Sequence, residues 1–248
     1  MVIDRCRGAA SLVAGPRPHS LDMCTDDPMR YDVDMIGCAV DVRAVDLPVQ
    51  RVPGVPEVRL HQAVDLLWLW DQAQRTGGPA APLPFWAVAW AGGIGLARYV
   101  LDHPAEVAGR RVWDVATGSG LVAIAAARAG AAQVTASDVD LDALTAVAAN
   151  AAVNGVELTT SCLDALAASV LDCDVILIGD ACYDAEVASR TRVFVRRAAI
   201  GGARVLLGDP GRPDLPTDDL VPVAAYDVDD VAGLESTSVV RVQVWTPR

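Results

Sequence analysis

RVWDVATGSGLVAIAAARAGAAQVTASD, residues 111–138, sets out one structural unit in a single line. RVWDVA is a short apolar run with an acid near its carboxyl end, which reads as a buried strand. GLVAIAAARAG has the length and composition of a helix, and AQVTASD is a second strand that ends in an acid. A strand, a tight glycine-bearing turn, a helix and another strand make a βαβ unit, which demands a parallel sheet. Gly118 and Gly120 permit the turn and a close backbone approach to a ligand, while the following helix offers unpaired amides at its N-terminus.

The rest of the chain extends this pattern. LDALTAVAANAAVNG predicts a helix, followed by short strands near 156–161 and 173–179, a helix over 185–199, and strands in ARVLLGD, VAAYDV and TSVVRVQVW. The expected fold is an α/β domain with about seven strands, mostly parallel, with helices on both faces and an antiparallel C-terminal hairpin at one edge connected in part by ESTS. Upstream, HQAVDLLWLWDQAQR (61–75) fits an amphipathic helix stopped by Gly77, Gly78 and Pro79, and IGLARYVLDH a second one. Residues 1–54 are rich in Pro, Gly and Asp and read as an N-terminal extension, partly irregular, with short strands in VDMIGCAVDVRAVDLPV. Residues 55–248 form the domain.

The chain has 248 residues, 52% of them hydrophobic, enough for a substantial core. Its formal net charge of −12 repels a phosphate backbone and favours cationic partners, so no nucleic-acid partner is expected. The six cysteines form no CxxC pair and the three histidines are scattered, so reduced thiols and no metal site are expected. No apolar run reaches the roughly 18 residues of a membrane helix and no signal peptide precedes Asp4 and Arg5, so a cytoplasmic protein without a membrane partner is expected.

Open α/β sheets bind ligands beyond the carboxyl ends of their strands. Those ends carry Asp114, Asp138, Asp180 and Asp209, with Asp164 in a following loop. The loop DVATGSGLVA is not the dinucleotide pattern GxGxxG, because Ala123 takes the third glycine position, and it lacks the lysine of a P-loop. A nicotinamide-dependent oxidoreductase is thereby disfavoured. Asp138, 18 residues beyond Gly120, is placed to accept both hydroxyls of a ribose, while Asp140 caps the next helix. Asp164 is placed to accept from an adenine amino group. A nucleoside ligand without a diphosphate is implied.

On PFWAVAWAGGIGLARYVLDHP, VWDVATGSGLVAIAAARAGA, ASDVDLDAL, GDACYDAE, GARVLLGDPGR and a closing VQVW, the chain resembles class I S-adenosylmethionine-dependent methyltransferases. Within them it is similar to the seven-β-strand protein-lysine methyltransferase group that includes the electron-transfer-flavoprotein β-subunit enzymes. The resemblance implies a Rossmann-like sheet and S-adenosyl-L-methionine as cofactor. It implies that Asp114, Gly118 and Gly120 surround the methionine moiety, that Asp138 binds the ribose, and that Asp164 lies by the adenine. Asp180 and Tyr183, in GDACYD, would stand where the methyl group meets its acceptor. Cys182 replaces a larger aromatic residue of many relatives, and AWAGG replaces a tryptophan-proline form.

A lysine acceptor must lose its proton before attack, which costs about 4 to 5 kcal/mol at pH 7 from a reference pKa near 10.4. Asp180 would attract and orient the ammonium, yet it favours the charged form and so is no base for it. Tyr183 aligns the amine or lines the pocket with its ring, and Cys182 lines it too. Asp184 reads as a helix N-cap. Trp86 and Trp90, four residues apart, either face the cofactor or pack their helix against the sheet. The expected acceptor is a basic protein segment bearing a lysine, the alternatives being a small-molecule amine or a noncatalytic S-adenosylmethionine-binding protein.

Overall fold

The computed structural model describes residues 47–79, 81–229 and 239–248. It opens on an antiparallel hairpin in which β1 (Val49–Val52) pairs with β2 (Val55–His61). The chain turns at Pro53 and Gly54, where Gly54 takes φ +78°, a backbone region that glycine enters without steric cost. The helix expected from residue 61 therefore starts later. His61 ends β2, and α1 (Leu66–Gly77) begins after Asp65, whose carboxylate accepts the Trp68 amide at 2.9 Å. The stretch HQAVDLL fits a helical period, but pairing with β1 claims its first residue and the Asp65 cap sets the true start. Most of the segment in which short strands were expected upstream lies outside the described residues, as do Cys6, Cys24, Cys38 and the ESTS connection.

The second helix, α2 (Ala91–Asp102), begins three residues before its expected start and so takes in Gly92 and Gly93. Beyond it the elements alternate: β3 (Arg111–Val115), α3 (Leu121–Arg128), β4 (Gln133–Asp138), α4 (Leu141–Asn154), β5 (Thr159–Cys162), β6 (Val175–Gly179), α5 (Ala185–Ile200), β7 (Arg204–Asp209), β8 (Leu220–Asp229) and β9 (Val239–Pro247). The large sheet has the order β5-β4-β3-β6-β7-β9-β8. The first five strands in that order run parallel, and β9 is antiparallel to both of its neighbours. This is the seven-stranded, mostly parallel Rossmann-like sheet expected from the sequence, with one refinement: β9 lies inside the sheet and β8 forms the edge.

Strand alternation divides the interior into two cores. Val112, Val175, Leu177 and Leu206 face a core shared with α2 and α3, whereas Trp113, Ile176, Ile178, Val205 and Leu207 face one shared with α5. Trp113 meets Phe194 of α5 edge-on, with ring centroids 5.6 Å apart, and donates its indole N–H to Ser137 at 2.8 Å. Helices thus cover both faces, as parallel strands require.

The chain order reverses between β3 and β6, which are neighbours in the sheet although β4 and β5 intervene in sequence. A crevice opens at such a reversal. One side of it is built by an unusually close contact. A Cβ placed on Gly92 of α2 would lie 2.4 Å from the carbonyl oxygen of Gly208 in β7, and one on Gly208 would lie 2.2 Å from the carbonyl oxygen of Gly92. A Cβ on Gly95 would lie 2.4 Å from a methyl of Val242 in β9. A glycine inside a helix costs about 1 kcal/mol relative to alanine, and here it permits backbone to lie on backbone.

Gly208→Ala should destabilise the fold by at least about 2 kcal/mol, because the atoms it would strike are backbone and cannot rotate away. Urea denaturation is the check, with an unchanged slope and a lower midpoint expected; an unchanged midpoint would contradict the contact.

Candidate active site

The site grows from the two central strand ends. After β3 the backbone turns through Ala116 at φ +53°, Gly118 at φ +52° and Gly120 at φ +80°, and α3 starts immediately. After β6, Asp180 takes φ +52°. Ala116 and Asp180 are the two non-glycine residues in the left-handed region among the described residues. Such a conformation costs on the order of 1 kcal/mol or more, and it persists only where the surroundings hold it. The Thr117 amide is held by the Ser137 carbonyl at 3.0 Å and the Asp180 amide by the Gly208 carbonyl at 3.0 Å.

Asp114, the penultimate residue of β3, is fully buried. Its Oδ2 accepts the Thr117 hydroxyl at 2.5 Å and the Ala123 amide at 3.0 Å, so it fastens the loop to the first turn of α3. Its Oδ1 is buried without a hydrogen-bond partner among the described residues. Burial pushes this carboxyl up to about 7, against the pull of those two donors. A Cβ on Gly118 would meet nothing within 4 Å, so this turn faces open space, whereas one on Gly120 would touch Val147 of α4 at 3.2 Å. The two glycines therefore differ: Gly118 leaves room, and Gly120 supplies the turn against α4.

Asp138, at the end of β4, accepts the Gly118 amide at 2.9 Å and the Asp140 amide at 3.1 Å. It spans the two adjacent loops across the crevice. Asp140 caps α4 through the Asp142 amide, as its position in the sequence indicates. Asn150, wholly buried on α4, completes the frame, accepting the His61 amide at 2.7 Å and donating to the Ser119 carbonyl at 2.8 Å. Sequence reasoning passed over it, although a polar residue on the apolar face of an alanine-rich helix is itself a signal. Asp164 forms a two-pronged ion pair with Arg190 of α5 at 2.6 and 2.5 Å. Both side chains are over a third exposed, so the pair is weak and leaves Asp164 open to exchange.

On the β6 side of the crevice, Asp180 Oδ2 accepts the Gly93 amide at 2.6 Å and Oδ1 accepts Arg212 at 2.7 Å. Tyr183 is 62% exposed and its ring stacks with that of Phe85 at a centroid distance of 6.3 Å. Trp90 lies 5.9 Å from the same Phe85 ring and donates its indole N–H to the Phe85 carbonyl at 2.8 Å. Phe85, Trp90 and Tyr183 form an aromatic rim that the sequence reading saw only in part. Burial raises the Tyr183 hydroxyl, and the negative charges of Asp184 and Asp138 raise it further. Trp86 does not join the rim: it is 5% exposed and packs with Leu66, Ala143 and Ala146. Cys182, expected to line the pocket, is 1% exposed and lies in the core under α5, where burial pushes its thiol up to about 12. Asp184 caps α5 through the Val187 amide at 2.9 Å.

Comparison with known proteins follows the same lines. A family model for ribosomal protein L11 methyltransferase (PrmA) matches residues 99–178. The electron transfer flavoprotein beta subunit lysine methyltransferase of Xenopus laevis is 32% identical over 200 residues, which cover 78% of this chain and 80% of the relative. The chain belongs to this lysine methyltransferase family, within the class I S-adenosylmethionine-dependent methyltransferases. The mouse member is 39% identical over 135 residues, covering 52% of each protein, so the chain spans about half the length of that curated relative. A ribosomal protein L11 methyltransferase of Geobacter sulfurreducens shares 54% identity over 55 residues, 21% of this chain and 18% of that one. Among the described residues no helix is long and apolar enough to cross a membrane.

Asp114 gives a test that needs no ligand. The unfolded carboxyl titrates near 3.8 and the folded one near 7, so between these values the native state binds more protons than the unfolded chain. Its contribution to stability therefore falls as pH rises through this window and levels off above it, by at most about 1.4 kcal/mol per pH unit. Urea unfolding from pH 4 to pH 8 should show wild type losing stability relative to Asp114→Asn in that window; parallel curves would refute a buried, proton-binding Asp114.

Proposed function

We propose that the protein is an S-adenosylmethionine-dependent N-methyltransferase acting on a lysine side chain of another protein. The observation that carries this reading is the buried, unpartnered Asp114 Oδ1 behind an open Gly118 turn, in the same crevice as an acid and an aromatic rim. S-adenosylmethionine would supply an electrophilic methyl group on a sulfonium. Residues suited to hold it are Asp114, Gly118 and Gly120 at the methionine end, Asp138 at the ribose and Asp164 at the adenine. Trp90 bounds the mouth of the crevice, and Trp86 supports it from the core. Residues 55–248 would be the methyltransferase domain, and residues 1–54 an extension that lends β1 to the edge of β2.

The acceptor side needs to draw in a cation, orient it and exclude water. Asp180 keeps lone pairs beyond those used by Gly93 and Arg212, and these are suited to orient an incoming ammonium. That interaction strengthens binding but opposes proton loss, so the proton leaves to water before or during docking. Phe85, Tyr183 and Trp90 offer apolar ring surface to the aliphatic stem of a lysine, with Asp184 supplying negative charge beside them. Positioning of the amine and removal of its water shell are the contributions this chain's own residues make to rate. The net charge of −12 favours a basic protein surface as partner.

The relatives' name makes electron transfer flavoprotein β-subunit the first acceptor to supply, together with size-fractionated lysate. The enzyme's 20 basic residues are all arginine, so any ε-amino label in the assay belongs to the substrate. Methyl-labelled cofactor should place label on a protein lysine, and Asp180→Asn should abolish most of it. Label confined to small amines would replace the protein substrate with a metabolite. Cofactor binding without transfer to any acceptor would make the protein a noncatalytic binder.

Phe85→Ala should raise KM for the protein acceptor roughly fivefold to tenfold, as for loss of one aromatic contact of about 1 to 1.5 kcal/mol, with cofactor affinity unchanged. Steady-state kinetics beside calorimetric cofactor binding is the check, and an unchanged KM would remove the rim from the acceptor site.

A further inference from the structure

We infer that Arg212 is a positioning residue for the acceptor site: it holds Asp180 ionised and aimed, in a buried cluster one positive charge short of balance that the cationic acceptor completes. This rests on the reading of the crevice as a methyl-acceptor site. Arg212 Nη1 donates to Asp180 Oδ1 at 2.7 Å and lies 3.4 Å from Asp209 Oδ2. The side chain of Arg212 is 18% exposed, that of Asp180 10% and that of Asp209 0%. Asp209 also fixes the start of the arginine's own loop, its Oδ1 accepting the Gly211 amide at 2.7 Å and the Arg212 amide at 2.8 Å. The guanidinium is thus anchored at its backbone and at its tip by the same carboxylate.

Two carboxylates and one guanidinium leave one net negative charge in a place largely shut off from water. Such a charge is costly unless a proton or a second cation neutralises it. Burial pushes Asp180 towards protonation, Asp209 adds to that push, and Arg212 and the Gly93 amide oppose it. The charged and titratable groups around Asp180 are Arg212 and Asp209, with Asp214 and the Cys182 thiol beyond them. No cation but Arg212 is bonded to Asp180 among the described residues. An entering ammonium restores balance, and a neutral acceptor of the same shape does not. The cluster accordingly selects charge, and Arg212 decides whether the selecting carboxylate is ionised.

The test uses the full chain and the variants Arg212→Met, Arg212→Lys and Asp209→Asn. Carbon-detected NMR follows the Asp180 carboxyl through pH, beside pH profiles of kcat/KM and cofactor binding. In Arg212→Met the Asp180 midpoint should rise by about one pH unit or more, as expected for loss of an adjacent opposite charge. The acid limb of kcat/KM should move with it, KM for the acceptor should rise roughly tenfold, and cofactor affinity should hold. Arg212→Lys should recover most of both shifts, and Asp209→Asn should move the midpoint down. If Arg212→Met fails to fold, Arg212→Gln, which removes the charge but keeps a hydrogen-bonding side chain, carries the test with the same expected rise.

A lower melting temperature in Arg212→Met with an unmoved Asp180 midpoint and an unmoved acid limb would overturn the inference and leave a structural salt bridge. The titration needs no turnover. An Arg212-dependent midpoint in a protein inactive on every acceptor would therefore overturn the proposed function alone, and an Arg212-independent midpoint in an active enzyme would overturn the inference alone.

Discussion

Everything at the crevice depends on how closely α2 lies against the ends of β6 and β7. The contact is between Gly92 and Gly208, main chain on main chain, with no side chain to soften it. Because the helix comes that near, the Gly93 amide reaches Asp180 at 2.6 Å and the start of α2 becomes part of the site. The Asp180 backbone is in turn held in the left-handed region by the Gly208 carbonyl. Helix placement, strand-end conformation and the aim of one carboxylate are therefore a single constraint. The AWAGG stretch is the sequence that allows it.

The two ends of the crevice handle negative charge in opposite ways. At β3, Asp114 has no cation partner among the described residues, and burial makes it a carboxyl that holds its proton up to near neutral pH. Just past β6, Asp180 is nearly as buried, its side chain 10% exposed, but is given a guanidinium. Two acids of the same type, one at the penultimate residue of β3 and one just past β6, thus present different chemistry, set by what lies beside each. Asp138 stands between them, spending its oxygens on loop amides and tying the glycine turn to the next strand.

The sheet was legible from sequence because most of its strands are short apolar runs, several with an acid at or beside the carboxyl end, that alternate with helices of matching length. The glycine loop and Asp138 were legible for the same reason: their spacing follows from the geometry of one βαβ unit. The hairpin at residues 49–61 was not, since VRLHQAVDLL satisfies a helical period as well as a strand one, and only pairing with β1 decides between them. Arg212 was missed, and so were the partners of Asn150, a residue that its place on an apolar helix face does mark, because the partners lie 32 and 89 residues away, at Asp180 and His61. No local pattern encodes such a distance. Phe85 was overlooked beside Trp86 because both are large aromatics, and which of two neighbours turns outward depends on the short helical turn (Phe85–Ala87) that carries them.

The position of β9 between β7 and β8 has a consequence for how the chain assembles. During synthesis β8 emerges first, yet it touches the sheet only through β9. Until residues 239–247 arrive, β7 keeps an open edge and β8 has no ladder to join. An open edge of that kind is a template for pairing with another chain. β9, made after the other six strands of this sheet, is thus the one that seals it, and Val242, which it carries against Gly95, also locks α2 in place. Protection of the nascent protein from strand-to-strand association and completion of the crevice are, on this topology, the same late event.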